Sequence, residues 1–338
     1  MKTELTKNIG DVFQCLATMQ FIECTQPQYI DREELGKNVD KESKIILNGW
    51  YIHDSKYWPP ASNLKPLFTS MHISNVRQKN GQIPIQEMIL SEKGEYLKNK
   101  IIGCRDMFLY NYLEKKGMKA YFSGCMTLTL DNKKLGKKVD DGYICLVDCS
   151  DTIYQFIKGI TNRKILRLSQ EGDEWFLPYD ERLEKAKELL KLYNNAHLVI
   201  SGRLHVILPC LALETPVIRI EPKFGDERYE GIGDLMYSCT EKELISKKFP
   251  LNLENLMSNP KEYNVIRNNL IKIVKNYIND VDMDENFYKN IHETNMSALK
   301  AAKEFQICFR KKNKMSPYYI RQNLYKFRKF IRNKKNCI

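Results

Sequence analysis

The sequence predicts an α/β protein: two parallel-sheet domains facing across a cleft, followed by a basic helical tail. Three observations carry this expectation. Residues 196–220, AHLVISGRLHVILPCLALETPVIRI, read as strand, short polar turn, helix and strand, the repeating unit of a parallel sheet. Strands alternate with helices in both halves of the 338-residue chain, which is long enough for two cores. The formal net charge of +12 is confined to one end. Residues 300–338 hold thirteen Lys or Arg and a single acid, Glu304, so 1–299 is balanced at forty-one of each sign. The predicted boundaries are 1–131, 141–297 and 298–338.

Each element has a local reason. Asn8–Gly10 forms a turn, and Val12, Phe13, Leu16, Ala17 and Met19 then give a mostly apolar helical face. KIILNGW (44–50) and PLFTSMHI (66–73) read as buried strands, joined by a loop that contains Pro59 and Pro60. A helix is expected over Ile83–Leu97. KIIGCRD (100–106) is a strand with Arg105 and Asp106 at its carboxyl end, and a helix follows to Gly117. KAYFSGCMTLTL (119–130) is a strand and a turn. The lysine-rich stretch Asp131–Asp141 reads as the domain linker. The second half restarts with GYICLVDC (142–149), a helix over 151–159, a strand KILRLS (164–169), and an amphipathic helix over Asp180–Tyr193 that shows Leu183, Ala186, Leu190 and Tyr193 on one face. More helices follow the 196–220 unit to about residue 295.

Within that unit, Leu198–Ile200 is a buried strand broken by Ser201 and Gly202. Arg203, Leu204 and His205 open the helix. Ligands of parallel sheets bind just beyond the carboxyl ends of strands, where Ser201, Arg203 and His205 fall. A helix N-terminus presents free N–H groups and partial positive charge, which suits a phosphate or carboxylate. The bland reading makes Arg203 a surface cap and His205 a packed histidine. Pro209 denies the His205 carbonyl its usual helical partner and predicts a kink.

Composition excludes several classes. No apolar run approaches a membrane span, and MKTELTKNIGD has no apolar signal core, so the cytoplasm is the expected compartment. Ten scattered cysteines without a C-x-x-C pair argue against a disulfide framework or a zinc site. Asp280, Asp282, Asp284 and Glu285 approach calcium-loop spacing but lack its glycine and distal glutamate. No G-x-G-x-x-G follows a strand. Neither a metal nor a cofactor is expected.

Four pieces, in order, carry a family resemblance: NIGDVFQ (8–14), IGCRDMFLYNYLEKKGMKAYFSGCMTLTL (102–130), the 196–220 unit with its Arg-Leu-His triplet and later proline, and EPKF (221–224). Together they resemble the polysaccharide pyruvyl transferases. The resemblance implies two Rossmann-like domains arranged as in B-type glycosyltransferases. It also implies transfer of the enolpyruvyl carbons of phosphoenolpyruvate to a sugar, making a pyruvate ketal on a cell-surface polysaccharide or its lipid-linked precursor. Arg105, His205 and Lys223 are the functionally important positions that it implies. The chain departs from the family where the helix usually ends in glycine and here has Glu214.

The donor carries two to three negative charges, roughly, which Arg203, Lys223 and Arg105 would neutralise, with Ser201 beside them. His205 is either the general acid that protonates the donor methylene or a phosphate ligand only. Arg105 suits a charge clamp, since guanidinium stays protonated. Asp11, beside Asn8 and Gly10, is a base or orienting carboxylate for the acceptor, or a first-turn acid that suits the helix dipole. Asp106 can simply cap its helix, and His72, at a strand end, is a secondary acceptor-side candidate. A nucleotide-sugar-dependent glycosyltransferase of the same build is the alternative. Nucleic-acid binding has no support beyond the charge of the tail, and nucleic acid is not an expected partner. In the tail, Ile320, Leu324, Phe327 and Ile331 follow helical spacing among basic residues. Over 318–335 that pattern suits an anionic membrane surface and a peripheral position at the inner face of the plasma membrane. Otherwise the helix packs back on the N-terminal domain.

Overall fold

The structure, a computed structural model, describes residues 7–317 apart from 24–28, 38–40, 52–53, 79, 136–138, 140–141, 174–175 and 222–225. The chain divides into two compact units. The first comprises 1–131 with 170–189 and 264–297, and the second 132–169 with 190–263 and 298–338. The sequence reading kept all of 141–297 in one domain. Chain order does not reveal that 170–189 and 264–297 pack with the first unit.

The first unit is built on a sheet of four parallel strands, β1 (Ser43–Tyr51), β2 (Leu64–Ile73), β3 (Ile102–Cys104) and β4 (Ala120–Phe122), in the order β1-β2-β3-β4. Parallel neighbours require crossovers; helical segments supply those after β2 and β3, whereas β1 passes to β2 with no helix among the described residues between them. Helix α1 (Gly10–Met19) precedes the sheet, and α3 (Met107–Lys115) links β3 to β4. Leu47, Phe68, Met71, Ile102, Leu109 and Leu113 lie in the core.

The helix expected over 83–97 is instead a π turn at Gln86–Leu90, a 3₁₀ turn at Glu92–Gly94, and a short α2 (Glu95–Lys98). Ser91 breaks it: its backbone is extended, at φ −82° and ψ 172°, and its hydroxyl accepts from Lys93 N–H.

β1 and β2 lose register between Leu47 and Gly49. Leu47 pairs with Phe68 but Gly49 with Met71, so Thr69 and Ser70 oppose Asn48 alone. This is a β-bulge, a device that re-aims side chains near sites. Ser70 takes the left-handed conformation at φ 53°, which costs a non-glycine residue about 1 kcal/mol. Gly49, at φ 121°, lies where a Cβ would come 3.2 Å from Gln14 Oε1 of α1, so the partner strand also needs special backbone here.

The second unit has five parallel strands, β5 (Ile144–Val147), β6 (Ile165–Leu168), β7 (Leu198–Ser201), β8 (Val217–Ile220) and β9 (Ser238–Cys239), in the order β6-β5-β7-β8-β9. α4 (Asp151–Lys158), α6 (Leu204–Ala212) and α7 (Glu241–Ile245) lie between or after them. α5 (Tyr179–Asn195) precedes β7, and Leu183, Ala186, Leu190 and Tyr193 are buried as their spacing predicts. Parallel sheets and alternating helices bear out the α/β expectation and are compatible with Rossmann-like units.

α6 runs through Pro209 as one helix. It ends at Leu213, and Glu214 is left-handed at φ 56°, the conformation glycine takes most cheaply. α8 (Tyr263–Ile278) and α9 (Glu285–Lys312) close the described chain. The expected tail therefore does not begin as a separate element at 298, because residues 298–312 continue α9. Gln306 donates to Met236 O (2.6 Å), and the Arg310 guanidinium meets both Glu243 carboxylate oxygens at 3.0 Å, so this stretch packs within the second unit. The segment 318–335 lies outside the described residues.

Candidate active site

The first unit places three sequence candidates, Asn8, Gly10 and Asp11, at the start of α1. Asn8 Oδ1 accepts from Gly10 N–H at 2.9 Å, so the turn that opens α1 is closed by its own asparagine. Ile9 N–H donates to Gln170 O at 2.9 Å, which ties the turn to the 170–189 segment of the same unit. Asp11, in the first turn of α1, lies 3.5 Å from the Arg32 guanidinium, with both side chains under one-tenth exposed. Burial lowers the pKa of neighbouring Arg182, opposed by Tyr179 and Asp11. Asp11 is thus set among arginines that no sequence pattern announced.

The bulge and the end of β3 form a second group. His72 Nδ1 lies 2.7 Å from Asp106 Oδ2, and the two side chains are 1% and 0% exposed. Asp106 is also the N-cap of α3, with Oδ1 accepting from Leu109 N–H at 3.1 Å. The capping role read from the sequence is present, and a second role sits on the other oxygen. Arg105 N–H donates to Met71 O at 2.8 Å, which locks the end of β3 to β2. The Arg105 guanidinium is 1% exposed, and its Nε is 3.7 Å from Asp106 Oδ2. Among the described residues, Arg105 Nε and Nη2 make no hydrogen bond. Buried guanidinium N–H groups without acceptors are costly, and a bound anion is one thing that satisfies them. Trp50 and Phe108 wall the imidazole, with ring centroids at 5.9 and 6.2 Å.

The second unit assembles the other group. β6 and β7 flank β5, so the strand order reverses between β5 and β7. Such a switch point opens a crevice at the carboxyl ends of the strands. Ser201, Gly202 and Arg203 leave β7 there. Ser201 Oγ donates to Val147 O (2.9 Å) on β5 and accepts from Arg203 N–H (3.0 Å), which fixes the turn. Arg203 is the N-cap of α6, and His205 stands in its first turn, 8% exposed. Asp148, the residue after β5, is left-handed at φ 52° and accepts from Arg203 Nε at 3.0 Å. Its other oxygen accepts from Ser169 Oγ at 2.6 Å. Cys149 donates to Ile200 O (3.2 Å), and burial pushes its thiol up to about 12, so it stays protonated rather than acting as a nucleophile. Tyr229 donates its hydroxyl to Gly202 O, and Arg219 lies 3.9 Å over its ring.

Asp11, Asn8, Gly10, His72 and Arg105 therefore belong to the first unit, and Ser201, Arg203 and His205 to the second. Lys223 lies outside the described residues. The sequence reading missed Asp148, Tyr229 and the second function of Asp106. An aspartate directly after a buried strand at the switch point was the available signal for the first.

The family model for polysaccharide pyruvyl transferase matches residues 8–223, more than half of the chain. The chain belongs to the polysaccharide pyruvyl transferase family. It is a transferase of polysaccharide biosynthesis, and the match does not favour the nucleotide-sugar glycosyltransferase alternative. No curated protein and no solved structure matches the chain. No helix among the described residues is long and apolar enough to cross a membrane.

Proposed function

We propose that this chain transfers the enolpyruvyl carbons of phosphoenolpyruvate to a sugar and closes a pyruvate ketal. The carrying observation is the β5–β7 switch point, where a fixed Ser201–Arg203 turn opens the helix that bears His205, within a family match that reaches Lys223. The donor is a small trianion, and cations at a helix start suit it.

In this reading Ser201, Arg203 and Lys223 bind the donor phosphate and carboxylate. His205 protonates the methylene carbon, or holds phosphate while a solvent proton is delivered. Arg105 clamps the negative charge of the reacting groups, which its unmatched N–H positions support. Asp11, Asn8 and Gly10 orient the acceptor, and His72 serves that side too. One hydroxyl adds to the central carbon of the donor as the methylene carbon gains a proton. A second hydroxyl of the same sugar then displaces phosphate. Of the two hydroxyl protons, one balances the new methyl group and the other leaves with phosphate. The acceptor is a sugar of a cell-surface polysaccharide or its lipid-linked precursor, and the basic 318–335 segment would hold the enzyme at the inner membrane face.

The test is product analysis by NMR, with phosphoenolpyruvate and a panel of galactose, mannose, glucuronate and N-acetylated acceptors, some lipid-linked. The expected result is phosphate release together with a new ketal methyl signal. Transfer from nucleotide sugars, with none from phosphoenolpyruvate, overturns the reading.

A further inference from the structure

One carboxylate in the first unit does three things. Asp106 Oδ1 caps α3 through Leu109 N–H, Oδ2 lies 2.7 Å from His72 Nδ1, and the same Oδ2 faces Arg105 Nε at 3.7 Å. None of the three side chains is more than 1% exposed. A carboxylate only accepts, so the hydrogen bond places the proton of neutral His72 on Nδ1 and makes Nε2 its basic nitrogen. The bulge at Thr69–Ser70 sets His72 opposite Trp50, and the Trp50 and Phe108 rings fix the plane of the imidazole. Away from water, such an oriented pair handles protons without first reorganising solvent.

We propose that Asp106 is a positioning residue of pyruvyl transfer: it holds His72 in the Nδ1–H tautomer beside Arg105, so that His72 Nε2 takes the proton released by the attacking acceptor hydroxyl. The inference rests on the pyruvyl-transfer reading and deepens it. The hydroxyl O–H bond breaks, its oxygen bonds to the central carbon of the donor, and the proton passes to Nε2 while the donor methylene is protonated separately. The second hydroxyl then bonds to the same carbon as the carbon–oxygen bond to phosphate breaks; its own proton leaves with phosphate, and the imidazolium returns its proton to the solvent or acid that protonated the methylene. Arg105 stays protonated throughout and stabilises negative charge on the reacting groups.

Asp106→Asn gives a sharp test because the α3 cap fixes the direction of the amide. Its carbonyl oxygen keeps Leu109 N–H, which turns the amide NH2 toward His72 Nδ1 and forces the proton to Nε2. Nitrogen-15 NMR of the full chain should show the Nδ1–H tautomer for His72 in the wild type and the Nε2–H tautomer in Asp106→Asn. With phosphoenolpyruvate and a productive acceptor, kcat should fall about a hundredfold or more in both Asp106→Asn and His72→Gln, with the KM for phosphoenolpyruvate within about threefold. The double variant should be no slower than either single one, since the residues act as a unit. An unchanged tautomer in Asp106→Asn, or wild-type kcat in His72→Gln, overturns the proposal while pyruvyl transfer stands. Should Asp106→Asn not fold, His72→Gln, which leaves the α3 cap intact, decides by kcat. A wild-type protein that pyruvylates no sugar removes the reading and this proposal together, whatever the tautomer.

Discussion

Arg203 Nε lies 3.0 Å from Asp148 Oδ2, and this contact joins the carboxyl ends of two neighbouring strands, β7 and β5. Asp148 reaches it from a left-handed backbone that asparagine also tolerates. Asp148→Asn should therefore keep the fold and remove the charge that steadies Arg203. The pair is partly exposed, at 32% and 19%, so its worth is about 1 kcal/mol. Steady-state kinetics should show KM for phosphoenolpyruvate rising by roughly threefold to tenfold with kcat little changed. A lower KM would mean that Asp148 competes with the donor for Arg203.

His205→Ala and Arg105→Ala should each cut turnover by roughly a hundredfold or more at saturating donor. Circular dichroism should show both variants folded. The grounds differ: His205 stands in the first turn of α6, and Arg105 keeps buried N–H groups that make no hydrogen bond among the described residues. Near-normal turnover in either variant removes that residue from the chemistry.

Glu243 governs acid stability in the second unit. Burial alone would raise its pKa, but bonds from Thr240 N–H and Ser316 N–H, together with Arg310, outweigh that and hold it below its ordinary value. A depressed carboxyl pKa stabilises the fold above the unfolded value and loses that contribution as pH falls through the folded value. Wild-type unfolding free energy should therefore drop on acidification below the ordinary carboxyl range. Glu243→Gln removes the nearest carboxylate of buried Arg310, which keeps Ser238 O, Ser316 O and, at 3.6 Å, Glu221, and should cost about 1.5–3 kcal/mol at neutral pH, with a flatter acid limb. Equal acid limbs in urea titrations would shift the effect to other carboxylates.

Truncation after Pro317 separates the tail from the fold. Ser316 must be kept, because its N–H donates to Glu243 and its carbonyl accepts from Arg310. Removing 318–338 should abolish sedimentation with phosphatidylglycerol vesicles at low salt and preserve activity on a soluble acceptor. Equal pelleting of the two forms would rule out membrane contact by this segment.

Local patterns made most elements legible. Ile144–Val147 and Leu198–Ser201 are short apolar runs bounded by turn residues, and the face of α5 follows from 3.6-residue spacing. Ser91 was opaque, because no periodicity shows that a serine inside a helical pattern will turn extended. β9 has two residues, too few for a pattern. The candidate residues were legible one at a time as charges at strand ends. Their partnerships were not: His72 and Asp106 are 34 positions apart, and Asp148 and Arg203 are 55 apart. Such contacts depend on strand order and on a bulge, which one-dimensional spacing does not encode.

The extra residue in β2 works like an inserted letter in a reading frame. Before it, Leu47 meets Phe68. After it, Trp50 meets His72, whereas an uninterrupted ladder would set Met71 there and put His72 across from Tyr51. Ironing out the bulge with Ser70 kept would turn every later side chain of the strand to the opposite face and take the histidine from its carboxylate, whereas deleting Ser70 would remove a strained residue and leave Met71 opposite Gly49 and His72 opposite Trp50. In this strand a local irregularity of the backbone, as much as the identity of its residues, carries the information for the site.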